Sequence, residues 1–172
     1  MVIDETRVTT TMTRRYARAP GGERARGHVP RNHGAGTTLI AALTTEGLTA
    51  AMTLPGALDT AAFLVYVREV LCPTLRPGQV VLLDNLSVHK AAAADRLIAA
   101  RGCRLLFLPP YSPDFSPIEP AFAQLKAFLR SVAARTQAAL DQAVTAALDL
   151  VTAADATAYF RHSGYRLAAQ SL

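Results

Sequence analysis

Two apolar runs separated by a helical stretch constrain this chain more than any other feature. Gln79-Val80-Val81-Leu82-Leu83 is a continuous apolar strand of the kind buried on both faces of a parallel sheet. Residues 91–101 read as a helix that stops at Gly102, where glycine suits a helix C-terminus. Arg104 to Leu108 reads as another buried strand, ended by Pro109-Pro110. Strand, helix and strand in this order are a parallel crossover, and they commit the chain to an α/β layer architecture.

The flanking segments extend that layer. Val2-Ile3-Asp4 reads as the tail of a short strand. A polar Arg/Gly-rich stretch follows from Arg14 to Gly36, with a turn at Ala19-Pro20-Gly21-Gly22. Residues 37–43 and 48–54 are β-prone and joined by Thr44-Thr45-Glu46-Gly47, a hairpin. Asp59 is placed to cap a helix carrying Phe63, Val67, Val70 and Leu71 at helical spacing, which Arg76-Pro77-Gly78 breaks. From Pro117 a helix begins, with Phe122, Leu125, Phe128 and Leu129 on one stripe. Residues 137–150 form a second amphipathic helix facing inward through Leu140, Val144, Leu148 and Val151, and residues 155–160 a short last one. The sum is a mixed sheet, antiparallel at the start and parallel later.

Composition narrows the class. The chain has 172 residues, enough for one domain with a real core, and 51% hydrophobic against 18% charged residues is globular, not disordered. The net charge of +5 suits a polyanionic partner. That charge is uneven, because Arg7, Arg14, Arg15, Arg18, Arg24, Arg26 and Arg31 crowd the first 31 residues. They read either as a solvated basic loop or as a loop facing phosphates. Cys72 and Cys103 lack the spacing of a disulfide framework or a zinc site and read as buried thiols in a reducing compartment. The N-terminus has no apolar signal region and no stretch is long enough to span a bilayer, so a soluble, cytoplasmic protein without a membrane partner is expected.

Three acidic positions carry the chemistry. Asp84 stands at the carboxyl end of the first buried parallel strand, where α/β folds build their sites. Separated from it by thirty-four residues, Glu119 opens the helix after a proline-rich loop. Asp4, followed by Glu5, ends the first apolar residues. Taken singly, each has a plain reading: Asp84 as a cap or turn residue, Glu119 as an acid favoured by the helix dipole. Taken together they form a site for two divalent metals. If the first and fourth strands are neighbours, Asp4 and Asp84 lie side by side and the helix brings Glu119 to their edge. Clustered carboxylates are tolerated when a dication neutralises them, and oxygen ligands favour Mg²⁺ or Mn²⁺ over Zn²⁺. Two such ions, about 3.5–4 Å apart, can stabilise both the attacking and the leaving oxygen of a phosphoryl displacement. Asn85 either orients a scissile phosphate or closes a turn. His89 and Lys90 read as structural or phosphate contacts, and Asp114 as a turn residue.

At these residues the chain resembles a known family. The segments Val81-Leu82-Leu83-Asp84-Asn85…His89-Lys90 and Leu108-Pro109-Pro110-Tyr111-Ser112-Pro113-Asp114-Phe115-Ser116-Pro117-Ile118-Glu119, followed by Phe122…Leu125-Lys126…Leu129-Arg130, resemble the catalytic domain of mariner-type bacterial insertion-sequence transposases. These are DDE superfamily endonucleases with a ribonuclease-H-like fold. The likeness runs from Ile3-Asp4-Glu5-Thr6 to Tyr159-Phe160…Gly164-Tyr165, so residues 1–172 are expected to be one such domain, with a mixed five-stranded sheet flanked by helices. The resemblance implies Asp4, Asp84 and Glu119 as the catalytic, metal-binding acids, two Mg²⁺ or Mn²⁺ ions, cleavage of transposon ends and strand transfer into target DNA. It also implies paired subunits on the DNA and a nucleoid-associated, prokaryotic setting. Asn85, His89, Lys90, Arg14, Arg15 and Lys126 are the expected DNA contacts.

The chain departs from the family pattern in several places. Arg7 stands where an aromatic residue commonly follows Asp-Glu-Thr, and Ser116 where Asn often precedes Pro-Ile-Glu. The helix-turn-helix region usual in the family is absent from this sequence, and the first strand reads as clipped. The clipped strand and missing region support an alternative, a truncated remnant that binds DNA or transposase subunits without cutting. Another ribonuclease-H-like nuclease, such as a junction resolvase, is a third reading.

Overall fold

The computed structural model describes residues 1–31, 36–85, 92–110 and 112–167. Five strands form one sheet: β1 (Val2–Val8), β2 (Thr37–Thr44), β3 (Gly47–Pro55), β4 (Val80–Leu83) and β5 (Arg104–Phe107). Their spatial order is β3-β2-β1-β4-β5. The pairs β1–β2 and β2–β3 are antiparallel, while β1–β4 and β4–β5 are parallel. This is the mixed sheet expected from the sequence. The hairpin turns at Gly47, whose φ of 127° few other residues adopt. A Cβ there would also meet the Val151 carbonyl oxygen at 2.6 Å. Farther along the hairpin, the register slips between Ile40 and Ala42, beside Ala50 with its left-handed φ of 45°, a bulge on β3 that adds twist.

Helices cover both faces of the sheet. On one side lie α1 (Thr60–Val65) and α2 (Ala92–Ala99). Alternation along the strands sends Ile3, Ile40, Ala42, Val81 and Leu83 to this side, where they pack with Phe63, Tyr66, Val67, Leu71, Ala94 and Ile98. Asp59 caps α1 by accepting the Ala62 N–H, as its position in the sequence predicts. The helix does not continue as a regular α-helix. Residues 66–71 widen into a π-turn, closed by the Cys72 N–H on the Val67 carbonyl, and a 3₁₀ turn follows over Cys72–Thr74. Tyr66, Val67 and Leu71 are all buried there.

On the other side lie α3 (Ile118–Val132), α4 (Gln137–Leu148) and α5 (Ala153–His162). Val2, Val8, Leu39, Ala41 and Leu43 face them and pack with Ile118, Phe122, Leu125, Leu129, Leu140, Val144 and Phe160. Gln137, at the start of α4, bonds to the Thr37 hydroxyl of β2 and ties that helix to the sheet. α5 starts two residues earlier than the sequence reading, because Thr152 and Asp155 form a reciprocal capping box. Cys72 and Cys103 are free and buried, as expected.

Two strands differ from their sequence reading. β1 is not the tail of a strand ending at Asp4: it runs seven residues, pairs with β2 from Val2↔Leu43 to Val8↔Thr37, and carries Asp4 in its middle. Charged Asp4, Glu5 and Arg7 mask an alternation in which Thr6 and Val8 are buried and Arg7 is exposed. β5 is not buried on both faces, because it is the edge strand. Leu105 packs on the α1–α2 side, but Leu106 and Phe107 are 40% and 42% exposed. β4, more central, buries Val81 and Leu83 and leaves Val80 and Leu82 half-buried.

Candidate active site

The register places the first two acids together. Val2 pairs with Leu82 in the parallel β1–β4 ladder, and carrying that register two residues on sets Asp4 level with Asp84. Asp4 shares the face of Val2, Thr6 and Val8, and Asp84 follows Leu82, which also packs on the α3 side. Both acids therefore lie on the α3 face of the sheet. Leu108 N–H bonds to the Leu83 carbonyl, so the chain leaves β5 beside Asp84. The proline-rich loop then folds into a short 3₁₀ turn (Pro113–Phe115) and enters α3 at Pro117, with Glu119 in the first helical turn. Asp114 lies exposed in that 3₁₀ turn, in keeping with its reading as a turn residue.

One cavity of about 520 Å³ gathers these elements. Its walls include Asp4, Asp84, Asn85 and Glu119, together with Ser112 and Ser116 and the prolines 109, 110 and 113. The Asp4 carboxyl is half-buried, and its acidity shows what the cavity does to a charge. Burial raises its pKa from the usual carboxylate value to about 7, with the negative charges of Glu5, Glu119 and Asp84 adding to the shift. The Glu5 N–H, bonded to Asp4 Oδ1 at 2.8 Å, works in the opposite direction.

This is the environment a dication relieves. The donors are hard oxygens, their charges repel one another, and one is strained enough by its surroundings to hold a proton near neutrality. The residues present therefore fit magnesium or manganese. Among the described residues, no group of three or more His, Cys, Asp or Glu side chains is already arranged to hold an ion. The acids stand on the walls of a shared cavity, not in a closed cage.

Lys126 lies two turns beyond Glu119 on the same face of α3. Its ammonium pKa is lowered, chiefly by burial. The positive charges of Arg130 and Arg15 push in the same direction, and Glu119 and Asp4 oppose them. Lys126 thus sits between the acidic cavity and a basic region. Arg14 and Arg15 belong to that basic region, where they line a cleft beside the end of α3, not the acidic cavity. His89 and Lys90 lie outside the described residues. Ser112 and Ser116, on the acidic cavity, and Arg26 and Arg130, on the basic cleft, were given no site role from the sequence, although Arg26 stands in the arginine-rich stretch and Arg130 lies 11 residues from Glu119 and four from Lys126 on one helix.

The sheet order β3-β2-β1-β4-β5 with helices on both faces is that of a ribonuclease-H-like domain. Residues 1–141 match the DDE superfamily endonuclease family, and the chain belongs to it. Among solved structures it is similar to the Mos1 strand transfer complex, with 17% identity and a TM-score of 0.68 over 94% of this chain and 50% of that one. The Mos1 mariner paired end complex with Mn gives 17% identity and a TM-score of 0.66, again over 94% of this chain and 50% of that one. The catalytic domain of Mos1 mariner transposase gives 17% identity and a TM-score of 0.61 over 94% of this chain and 74% of that one. The chain thus spans about half the length of the mariner complexes it matches. No curated protein matches it.

Proposed function

We propose that this chain is the catalytic domain of a DNA transposase, which cleaves transposon ends and joins them to target DNA. The observation that carries this reading is the shared cavity: a register-paired Asp4 and Asp84 opposite Glu119 of α3, in a chain of the DDE superfamily endonucleases. Asp4, Asp84 and Glu119 hold two Mg²⁺ or Mn²⁺ ions, and manganese in a structure of similar fold supports that choice. Held by these acids, the ions would supply activation of a water or 3′-hydroxyl and stabilisation of the departing 3′-oxygen. The protein's own groups do the positioning. Asn85, on the cavity wall, orients the scissile phosphate by donating from its side-chain amide. Lys126 and Arg15 meet phosphates flanking the cut, with His89, Lys90 and Arg14 as further contacts. Two copies act as a pair on the DNA, as the paired-end likeness supports. Such a protein works in the cytoplasm, on the nucleoid. Among the described residues no helix is long and apolar enough to cross a membrane.

The non-cutting remnant reading rested in part on a clipped first strand. β1 runs seven residues from Val2 to Val8 and pairs along its length with β2, so the strand that carries Asp4 is formed in this chain. The test is nicking of supercoiled plasmid by the chain in Mg²⁺ or Mn²⁺. Cleavage is expected in either metal and not in EDTA. Activity that persists in excess EDTA sinks the mechanism.

A further inference from the structure

The segment after α5 reaches back to the wall of the acidic cavity. The chain reverses at Gly164, whose left-handed φ of 84° suits the end of a helix. The Tyr165 N–H then bonds to the Phe160 carbonyl at 3.0 Å. This turns the Tyr165 ring onto the α3-side core, edge-on to Phe160 with ring centroids 5.5 Å apart. Its hydroxyl donates to the Phe115 carbonyl at 2.7 Å, a contact between residues 50 apart in the chain. Burial raises the pKa of this phenol, so it keeps the proton it donates.

Phe115 closes the 3₁₀ turn whose flanks, Ser112, Pro113 and Ser116, line the cavity with Glu119. From that turn to Glu119 the path is backbone. The Ser116 N–H bonds to the Pro113 carbonyl at 2.8 Å, and the Glu119 N–H bonds to the Ser116 carbonyl at 3.2 Å. Local side chains do not lock this entry. Ser112 and Pro117, the capping positions of the turn and of α3, make no side-chain capping bond. A helix start without a cap loses the usual means of fixing its first turn. Asp4 is held differently, within a strand paired along its length. Glu119 depends on a turn, and Tyr165 ties that turn to the core from outside.

We infer that Tyr165 is a positioning residue: by holding the Phe115 carbonyl it fixes the turn and the start of α3, and so keeps Glu119 facing Asp4 and Asp84. Its consequence for metal rests on the reading of these three acids as one site. Magnesium demands near-ideal ligand geometry, so a loosened Glu119 binds it less well. Tyr159 on the same helix supplies the contrast. Its hydroxyl donates to Gln124 Oε1 at 2.7 Å, beyond the first turn of α3, and leaves the 3₁₀ turn alone.

The test compares Tyr165→Phe with Tyr159→Phe, each keeping its ring and losing one hydroxyl. Amide hydrogen exchange followed by NMR in EDTA needs no metal. In Tyr165→Phe the Ser116 and Glu119 amides are expected to exchange roughly 3- to 10-fold faster, the equilibrium factor that one net hydrogen bond is worth. In Tyr159→Phe they are expected to keep the native rate. Calorimetric titration with Mn²⁺ is expected to show affinity lowered by about the same factor in Tyr165→Phe alone, since a site correctly formed part of the time binds in that proportion. Native exchange at both amides in Tyr165→Phe overturns the inference. So does equal acceleration in Tyr159→Phe, because α5 would then support α3 as a whole. Faster exchange with unchanged Mn²⁺ affinity also overturns it, for the turn would move without moving the acid. If the exchange contrast holds while the native chain takes up no Mn²⁺, Tyr165 still positions Glu119 and the metal reading alone falls.

Discussion

Val2 lies opposite Leu82, and this one register in the parallel β1–β4 ladder sets Asp4 beside Asp84. Stepping β1 by one residue would turn Asp4 to the opposite face, because side chains alternate along a strand. The seven pairs between β1 and β2 fix β1 against such a slip. The acids are thus held by the sheet's hydrogen bonds before any ion is bound.

That placement has a cost that pH should reveal. The Asp4 carboxyl titrates near 7 in the folded chain, raised chiefly by burial, and near 4 when unfolded. Below about pH 4 both states hold the proton and Asp4 is neutral to stability. As pH rises from 4 to 7 the unfolded state ionises first, so the folded state loses ground, by roughly 4 kcal/mol at most. In EDTA, native stability is expected to fall across this window, whereas Asp4→Asn stays flat and is the more stable protein at pH 8. Adding Mg²⁺ should restore the native chain and release protons near pH 6–7. Urea midpoints against pH, with and without Mg²⁺, measure this. A native chain whose midpoint rises from pH 4 to 8 in EDTA contradicts the assignment.

Asp84→Asn and Glu119→Gln keep the shape of each side chain and remove its charge. Loss of a mere supporting residue at a metal site costs about 10–100-fold. Loss of a ligand should cost more, so nicking by either variant is expected to fall by more than about 100-fold while thermal stability in EDTA is unchanged or higher. Single-turnover nicking and a melting curve on the same preparations settle it. Near-native nicking by either variant would remove that acid from the site.

How much of this was legible in the sequence depended on whether local pattern or distant pairing decides an element. The hairpin, the parallel crossover and the start of α3 at Pro117 follow from short-range signals, turn glycine, apolar runs and proline, and all are found. That Asp4, Asp84 and Glu119 meet at one cavity was expected from their residue type and their places beside apolar runs, and the cavity they line agrees with that. β1 beyond Asp4 was not, since its strand character comes from pairing with β2, some 35 residues away. The exposure of Leu106 and Phe107 was hidden for a similar reason: an apolar run does not say whether its strand ends up central or at an edge. The arginine-rich segment read equally as solvated loop or phosphate face. Only its contact with Arg135, just after α3 and 125 residues from Thr10, gives its first part a shape.

Tyr66 is an internal check on the α1 side of the core. Its side chain is fully buried and, among the described residues, its hydroxyl has no hydrogen-bond partner. A buried, unsatisfied hydroxyl costs about 1–3 kcal/mol, while the ring packs against Phe63 with centroids 6.4 Å apart. Tyr66→Phe keeps the ring and removes the orphan group, so stability is expected to rise by about 1 kcal/mol. Tyr66→Ala, which empties the site, should lose about 3–5 kcal/mol. Chemical denaturation of both variants gives the comparison; a destabilised Tyr66→Phe means the hydroxyl has a partner in solution.

Lys126 separates a role in DNA binding from one in folding. Its ammonium is half-buried between Glu119 and Asp4 on one side and Arg130 and Arg15 on the other. Burial disfavours its charge, so as a structural element Lys126 would be a poor choice, and Lys126→Gln should leave stability within about 0.5 kcal/mol, the usual range away from key packing contacts. As a phosphate contact it should matter at every sequence alike. Duplex binding by Lys126→Gln is expected to weaken uniformly and to show a salt slope shallower by about 1, the signature of one lost contact. Because the lysine also offsets the acids, the apparent Mg²⁺ affinity should move the opposite way and tighten slightly in the variant. A filter-binding series from low to moderate salt, paired with Mg²⁺ titration, distinguishes the roles. Lower stability with an unchanged salt slope would make Lys126 a folding residue and take it out of the DNA path.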